Sequence, residues 1–329
     1  MAGETALARA EELAERLLPE RTPKRRMLVI VNPYATTVSA RLKSLVVYAL
    51  QSRYAVEAVD TEKRDHATRL CREAADEGYD VVVAFGGDGT VNEAANGLAG
   101  SKTPLTCLPG GATNVWCRQI GIPRDVVDAT EHLLRMADDF RPFPVDLGRA
   151  GGRHFLFSSG IGLDASIVRS VDSHPYRKAK FGAWYYTSSG IVTFTRRYLF
   201  DPPRVHLTVG DRELEGVTVV VQSSDPFTYF RGRPIRIAEG ATLDGGTLSL
   251  AVLKNARVGQ LATLIPRIFS ANARTVLRHR QIEGFSGLTA ARATCVDDRP
   301  FPLHVDGDYI GEYEAVDYAI SPGGLMAVA

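Results

Sequence analysis

The 329-residue chain has few cysteines, almost no net charge and no long apolar run, and each absence removes a class of protein. Cys71, Cys107, Cys117 and Cys295 share no Cys-x-x-Cys spacing and are too sparse for a disulfide framework. They read as reduced thiols of a cytoplasmic protein. Thirty-nine Lys and Arg against 38 Asp and Glu leave a net charge of +1, which argues against a whole-protein field for nucleic acid. Apolar runs such as Val81 to Phe85 and Val217 to Val221 are core strands, far short of the roughly 18 residues of a spanning helix. The acidic first twenty residues hold no apolar segment of a signal peptide. Also absent are a GxxxxGK[ST] loop, the HRD and DFG elements of protein kinases, and any His-Glu-x-x-His, so P-loop, protein-kinase and zinc-hydrolase chemistry drop out.

What is present is an ordinary globular balance, 45% hydrophobic and 23% charged, at a length that suggests two domains. Ala10, Leu13, Ala14, Leu17 and Leu18 form a helical stripe, followed by the basic tract Lys24, Arg25, Arg26; this reads as a packing helix and linker. From residue 27 to about 140, β-branched runs alternate with helical periodicity: strands at Met27–Val31, Tyr54–Val59, Asp80–Phe85 and Leu105–Leu108 are separated by helical stripes. That alternation predicts an open parallel α/β sheet with right-handed crossovers. After Arg141-Pro-Phe-Pro144 short strands between Gly, Asp and Pro turns take over, the pattern of an antiparallel β domain. Within residues 141–204, ten Lys or Arg and only four acids are interleaved with aromatics such as Trp184, Tyr185 and Tyr186. The mixture suits an anionic membrane surface, RNA, or a solvated face around core rings.

In a parallel sheet, ligands sit beyond the carboxyl ends of the strands, so chemistry is expected in the loops starting at Asn32, Gly86 and Pro109. The segment Gly86-Gly87-Asp88-Gly89-Thr90 follows a strand and opens a helix whose apolar face is Val91, Ala94, Ala95 and Leu98. Its glycines let the backbone approach a ligand closely, and the N–H groups at the helix start form an anion site, so it reads as a phosphate cradle. Asn32-Pro33 and Pro109-Gly-Gly-Ala-Thr-Asn114 end neighbouring strands. Gly160-Ile-Gly162-Leu-Asp-Ala165 has GxGxxA spacing but no following βαβ unit, so it is not read as a dinucleotide fingerprint.

These motifs, together with Val145-Asp-Leu-Gly148 and Val305-Asp-Gly-Asp308, occur in an order that resembles the soluble diacylglycerol kinase and sphingosine kinase family, over roughly residues 27–328. The Gly-Gly-Asp-Gly-Thr element is shared with NAD kinases and phosphofructokinases; Asn92-Glu93 behind it and the late Asp-Gly-Asp favour the lipid kinases. The resemblance implies an N-terminal NAD kinase-like nucleotide domain (27–140), a C-terminal antiparallel β-sandwich (141–317) with the active site between them, and a tail (318–329) returning to the first domain. It implies ATP contacts at Asn32, Pro33, Tyr34, Ala35 and Thr36, at Thr61, along Gly86, Gly87, Asp88, Gly89, Thr90, Val91, Asn92 and Glu93, and at Gly111, Thr113 and Asn114.

By the same resemblance an acid near the C-terminus is the base for the attacking hydroxyl: Asp308, where relatives carry Glu, or else Asp306. Asp88, besides its catalytic part, and Asp146 match acids near the Mg2+ bound with ATP. Asp244 matches a ligand of a structural cation in some relatives, although Gly245 replaces a second acid. Val115 stands where many relatives have Asp. The implied activity is ATP- and Mg2+-dependent phosphorylation of diacylglycerol or a related lipid, by a cytoplasmic enzyme acting at the inner membrane face, with dimers known in the family. The alternatives are an NAD kinase-type small-molecule kinase and a catalytically weak lipid- or nucleotide-binding regulator.

Overall fold

A computed structural model describes residues 24–162, 165–166, 203–255 and 258–329. The N-terminal stripe and most of the basic-aromatic stretch lie outside these residues. The first half runs β1 (Arg26–Val31), α1 (Ala40–Leu50), β2 (Ala55–Asp60), α2 (His66–Asp76), β3 (Val81–Gly86), α3 (Asp88–Leu98), β4 (Leu105–Pro109), α4 (Val115–Gln119) and α5 (Val126–Met136). The strands pair in parallel in the order β2-β1-β3-β4. Strands β3 and β4 are buried throughout and β1 everywhere but its first residue, as their unbroken apolar runs require beneath helices on both faces. Edge strand β2 has no fully buried residue.

The second half contains β5 (Phe143–Ala150), β6 (Arg153–Phe155), β7 (Ser158–Gly162), β8 (Val205–Val209), β9 (Arg212–Gly216), β10 (Thr218–Gln222), β11 (Thr228–Phe230), β12 (Arg233–Ile235) and β13 (Leu248–Leu253). Helices α6 (Val258–Ile268) and α7 (Ala273–Leu277) follow, then β14 (Ile282–Leu288), β15 (Ala290–Cys295), β16 (Phe301–Val305), β17 (Asp308–Tyr313) and β18 (Ala315–Ala327). One six-stranded antiparallel sheet, β14-β13-β10-β7-β16-β17, faces the antiparallel part of the larger sheet. Val219, Val221, Leu250 and Phe301 from one side meet Leu207, Ala293, Val316 and Tyr318 from the other, the sandwich expected of the alternating pattern. Gly160–Gly162 lie in β7, antiparallel to β10 and β16, and so not in a dinucleotide turn.

Strand β18 links the halves. It pairs antiparallel with β15 and β5, shifts register between Ser321 and Leu325, and meets β4 in parallel at Ala327 opposite Leu105. Leu325, Ala327 and Val328 thereby enter the first half's core. Asp146 pins this irregularity: its carboxylate accepts from Gly323 N (2.8 Å) and from Gly246 N. Strand β4 and helix α4 bring Cys107 and Cys117 side by side, 5.9 Å apart at Cα, while Cys71 and Cys295 stand apart.

Candidate active site

Parallel pairing aligns the carboxyl ends of the first-half strands, with Val31 opposite Phe85 and Asp60, and Gly86 opposite Pro109. The loops that follow are locked to one another by backbone bonds: Asn32 N to Phe85 O, Gly110 N to Gly86 O, Thr37 N to Gly110 O. Asn32 also donates from its side chain to Thr90 Oγ1 (3.1 Å). Glycine is required here by packing. A Cβ on Gly110 would lie 2.8 Å from Gly86 Cα, and one on Gly111 would lie 2.8 Å from Gly87 Cα. The second and third loops therefore stack backbone on backbone at the start of α3.

The other half contributes the turn between β16 and β17. Asp306, in left-handed conformation with φ 48° and only 4% exposed, accepts from Leu156 N (2.7 Å), Phe157 N and Ser158 N (3.0 Å each) and Asn92 Nδ2 (2.8 Å). Four donors occupy the carboxylate, so Asp306 anchors the turn and has little acceptor capacity left for a substrate. Two residues on, half-buried Asp308 rests against the Gly86–Thr90 loop: a Cβ on Gly89 would fall 2.5 Å from its Oδ2. Arg64 donates to Tyr309 O (2.8 Å), and Arg153 pairs with Asp65, closing the same seam.

Asp88, Asp306 and Asp308 thus converge at the first turn of α3. Burial drives the Asp88 carboxyl up to about 7; the Trp116 N–H, donating at 3.3 Å, opposes this, and the charges of Asp306 and Asp308 add to it. Burial likewise raises Asp306, opposed by its four donors. A single carboxylate such as Asp88 beside a nucleotide's phosphates is a donor that magnesium accepts.

The remaining expected residues divide. Tyr34 is 84% exposed, Pro33 and Thr36 are exposed, Thr61 follows β2 with its N–H on Val31 O, and Thr113 borders a cleft beside the third loop. All surround the same sheet edge. Others spend their side chains on the protein. Val91 is core; Glu93 accepts from Ala67 N at the start of α2; Asn114 accepts from Gly111 N and donates to Gly111 O. Asn92, fully buried, donates to Asp306 and His154 O and accepts from Arg153 Nε (2.9 Å). The side chains of Val91, Asn92, Glu93 and Asn114 thus fasten the loops to one another and to the neighbouring elements.

The three acids expected at metals stand apart. Asp146 bonds to the turns at Gly246 and Gly323, whereas Asp88 bonds to the start of α4. Among the described residues no three His, Cys, Asp or Glu side chains gather where one ion could hold them. Asp244 is exposed in the turn that wraps Asp146. Val115, buried in the core, supplies no carboxylate between them.

Sequence reasoning missed Arg118, one turn into α4. Its guanidinium lies 3.2 Å from the Tyr229 ring centroid and donates to Gly232 O (3.2 Å). Burial lowers its pKa from the ordinary value, and the Asp88 charge works the other way. With Arg124, Gly111–Asn114, Asp125 and Asp128 it lines a cleft of about 510 Å3. No local motif marked it; only the fold of β11–β12 over α4 does.

Comparison with known proteins agrees with this arrangement. Residues 26–145 match the diacylglycerol kinase catalytic domain, and residues 158–329 match the YegS C-terminal NAD kinase beta sandwich-like domain. The diacylglycerol kinase of Bacillus subtilis (strain 168) is 26% identical over 267 residues, 79% of this chain and 82% of that protein. A diacylglycerol kinase of Staphylococcus aureus (strain bovine RF122 / ET3-1) is 24% identical over 300 residues, 89% of each chain. The crystal structure of a diacylglycerol kinase from Bacillus anthracis str. Sterne superposes with a TM-score of 0.71 at 25% identity, covering 94% of this chain and 98% of that one. With both halves matched in order, and the turn of one seated on the glycine loop of the other, the chain belongs to the diacylglycerol kinase family and is a lipid kinase.

Proposed function

We propose that the chain transfers the γ-phosphoryl group of ATP to the free hydroxyl of diacylglycerol, or of a lipid with the same hydroxyl-bearing headgroup, between the three loops and the β16–β17 turn. The observation that carries this reading is Asp308 against Gly89: a carboxylate from the substrate half stands at the phosphate loop of the nucleotide half. The amides at the start of α3 and those of Ala112 and Thr113 cradle the phosphates, and the α3 N-terminus favours their charge. Asp308 accepts the proton of the lipid hydroxyl as its oxygen bonds to the γ-phosphorus, and ADP leaves with the electrons of the broken bond. Asp306 positions Asp308 by holding the turn from four donors. Asp88 is the residue that would hold magnesium, whose contribution is to neutralise phosphate charge.

The test is transfer of labelled phosphate from ATP and Mg2+ to diacylglycerol in mixed micelles, with NAD as water-soluble control. Labelled lipid that falls at least ~100-fold in Asp308→Asn is expected. Labelling of NAD alone would overturn the lipid acceptor, and full activity in Asp308→Asn would overturn the assigned base.

A further inference from the structure

Away from the cleft, the second half carries an exposed apolar face among cations. Helix α6 turns Ala262, Ile265 and Pro266 to solvent, and Phe269 follows one residue past its end; Ile265 is 51% and Phe269 48% exposed. Spacing of three and four residues makes these one stripe. The tip of the β11–β12 hairpin completes it, with Phe230 edge-on to Phe269 and ring centroids 5.1 Å apart. Residues 254–282 hold six Lys or Arg and no Asp or Glu, and residues 226–238 add three Arg, again without an acid. Arg274 is paired with Glu239 and Arg236 with Asp225, while Arg233, Arg278 and Arg280 are exposed.

Large apolar side chains held in water where cations outnumber acids match an anionic bilayer surface. The rings and Ile265 enter the headgroup boundary while the cations meet lipid phosphates. The hairpin ties this face to the cleft. Successive strand residues point to opposite sides, and Tyr229 stacks with Arg118 at the third loop while its neighbour Phe230 faces Phe269. We propose that the exposed face of α6 and the β11–β12 tip dock on a bilayer containing anionic phospholipid, bringing the mouth of the Arg118 cleft to the membrane from which the lipid substrate comes. The inference rests on the lipid-acceptor reading above.

The test uses the full chain with vesicles of phosphatidylcholine alone or mixed with phosphatidylglycerol. A Phe269→Trp reporter is expected to shift its emission to the blue, and to be quenched by brominated lipid, with the anionic vesicles. In the double variant Ile265→Ser/Phe269→Ser, vesicle partitioning is expected to fall about tenfold. The KM for vesicle-borne diacylglycerol rises in step, while kcat and turnover of a short-chain, water-soluble diacylglycerol stay unchanged. Charge reversal at Arg278 and Arg280 is expected to weaken binding to the anionic vesicles only. An unshifted reporter, unaltered partitioning of the double variant, or a solution dimer that the double variant dissociates would each overturn the docking surface. Partitioning is read without ATP, so loss of lipid phosphorylation in the unmodified chain sinks the kinase chemistry without touching the binding result.

Discussion

Replacing Asp88 by Asn should make the metal-free protein more stable while removing its activity. In the folded chain, burial and two neighbouring carboxylates lift the Asp88 carboxyl from its ordinary 3.8 to about 7. Between those values the folded state keeps a proton that the unfolded state has lost. The stability contributed by this group is therefore fully present below about pH 4 and is lost as pH rises through about 7. The interval corresponds to about 4 kcal/mol at most; because Asp88 keeps some contact with solvent, about 2 kcal/mol is expected. Asn carries no charge to desolvate, and its Oδ1 can still accept from Trp116 N. Urea unfolding in chelator at pH 8 should show Asp88→Asn ahead of the wild type by that amount, with the gap closing towards pH 4. Adding Mg2+ with nucleotide should stabilise the wild type and leave the variant unmoved, and kinase turnover of the variant should fall by two orders of magnitude or more. A variant less stable than wild type at pH 8, or a gap that ignores pH, would refute the reasoning.

Gly89→Ala places a methyl 2.5 Å from Asp308 Oδ2, so kcat should fall at least ~10-fold with little change in thermal midpoint. The loss should vanish in an Asp308→Asn background, a non-additivity read by steady-state kinetics. Asn92→Ala strips donors from buried Asp306 and His154 O and an acceptor from Arg153; denaturant unfolding should show a loss of about 3 kcal/mol. Asp146→Ala frees the turns at Gly246 and Gly323, and should cost about 2 kcal/mol in the same assay while the KM for ATP stays as it was. A rise in that KM would return Asp146 to the nucleotide's metal.

Short-range periodicity was enough to locate most elements of the first half. Unbroken Val/Ile/Leu runs belong to strands covered on both faces, and observed β1, β3 and β4 begin or end within a residue of Met27–Val31, Asp80–Phe85 and Leu105–Leu108. The second half was less legible. Strands β11, β14 and β17 are buried at no position, and β18 is broken by Ser321-Pro-Gly-Gly324, so their patterns carry little alternation. The same limit applied at the site. Gly86–Thr90 announces itself because a backbone that must approach a ligand needs residues without side chains, a local demand. Arg118 and Tyr229, or Asn92 and Asp306, meet across 111 and 214 residues of chain, and nothing near either partner encodes the encounter.

By itself the sequence determined the parallel α/β half and the glycine cradle at its strand ends, because each follows from local backbone demands and side-chain periodicity; the late acidic turn was marked only by resemblance to a family motif. Only the tertiary structure decided which acids work together. It seats Asp308 on Gly89, saturates Asp306 with donors, and draws Asp146 away to the β18 irregularity. A carboxylate's role depends on how many of its lone pairs the fold has already filled, and that number is set by distant backbone amides rather than by its neighbours in the chain.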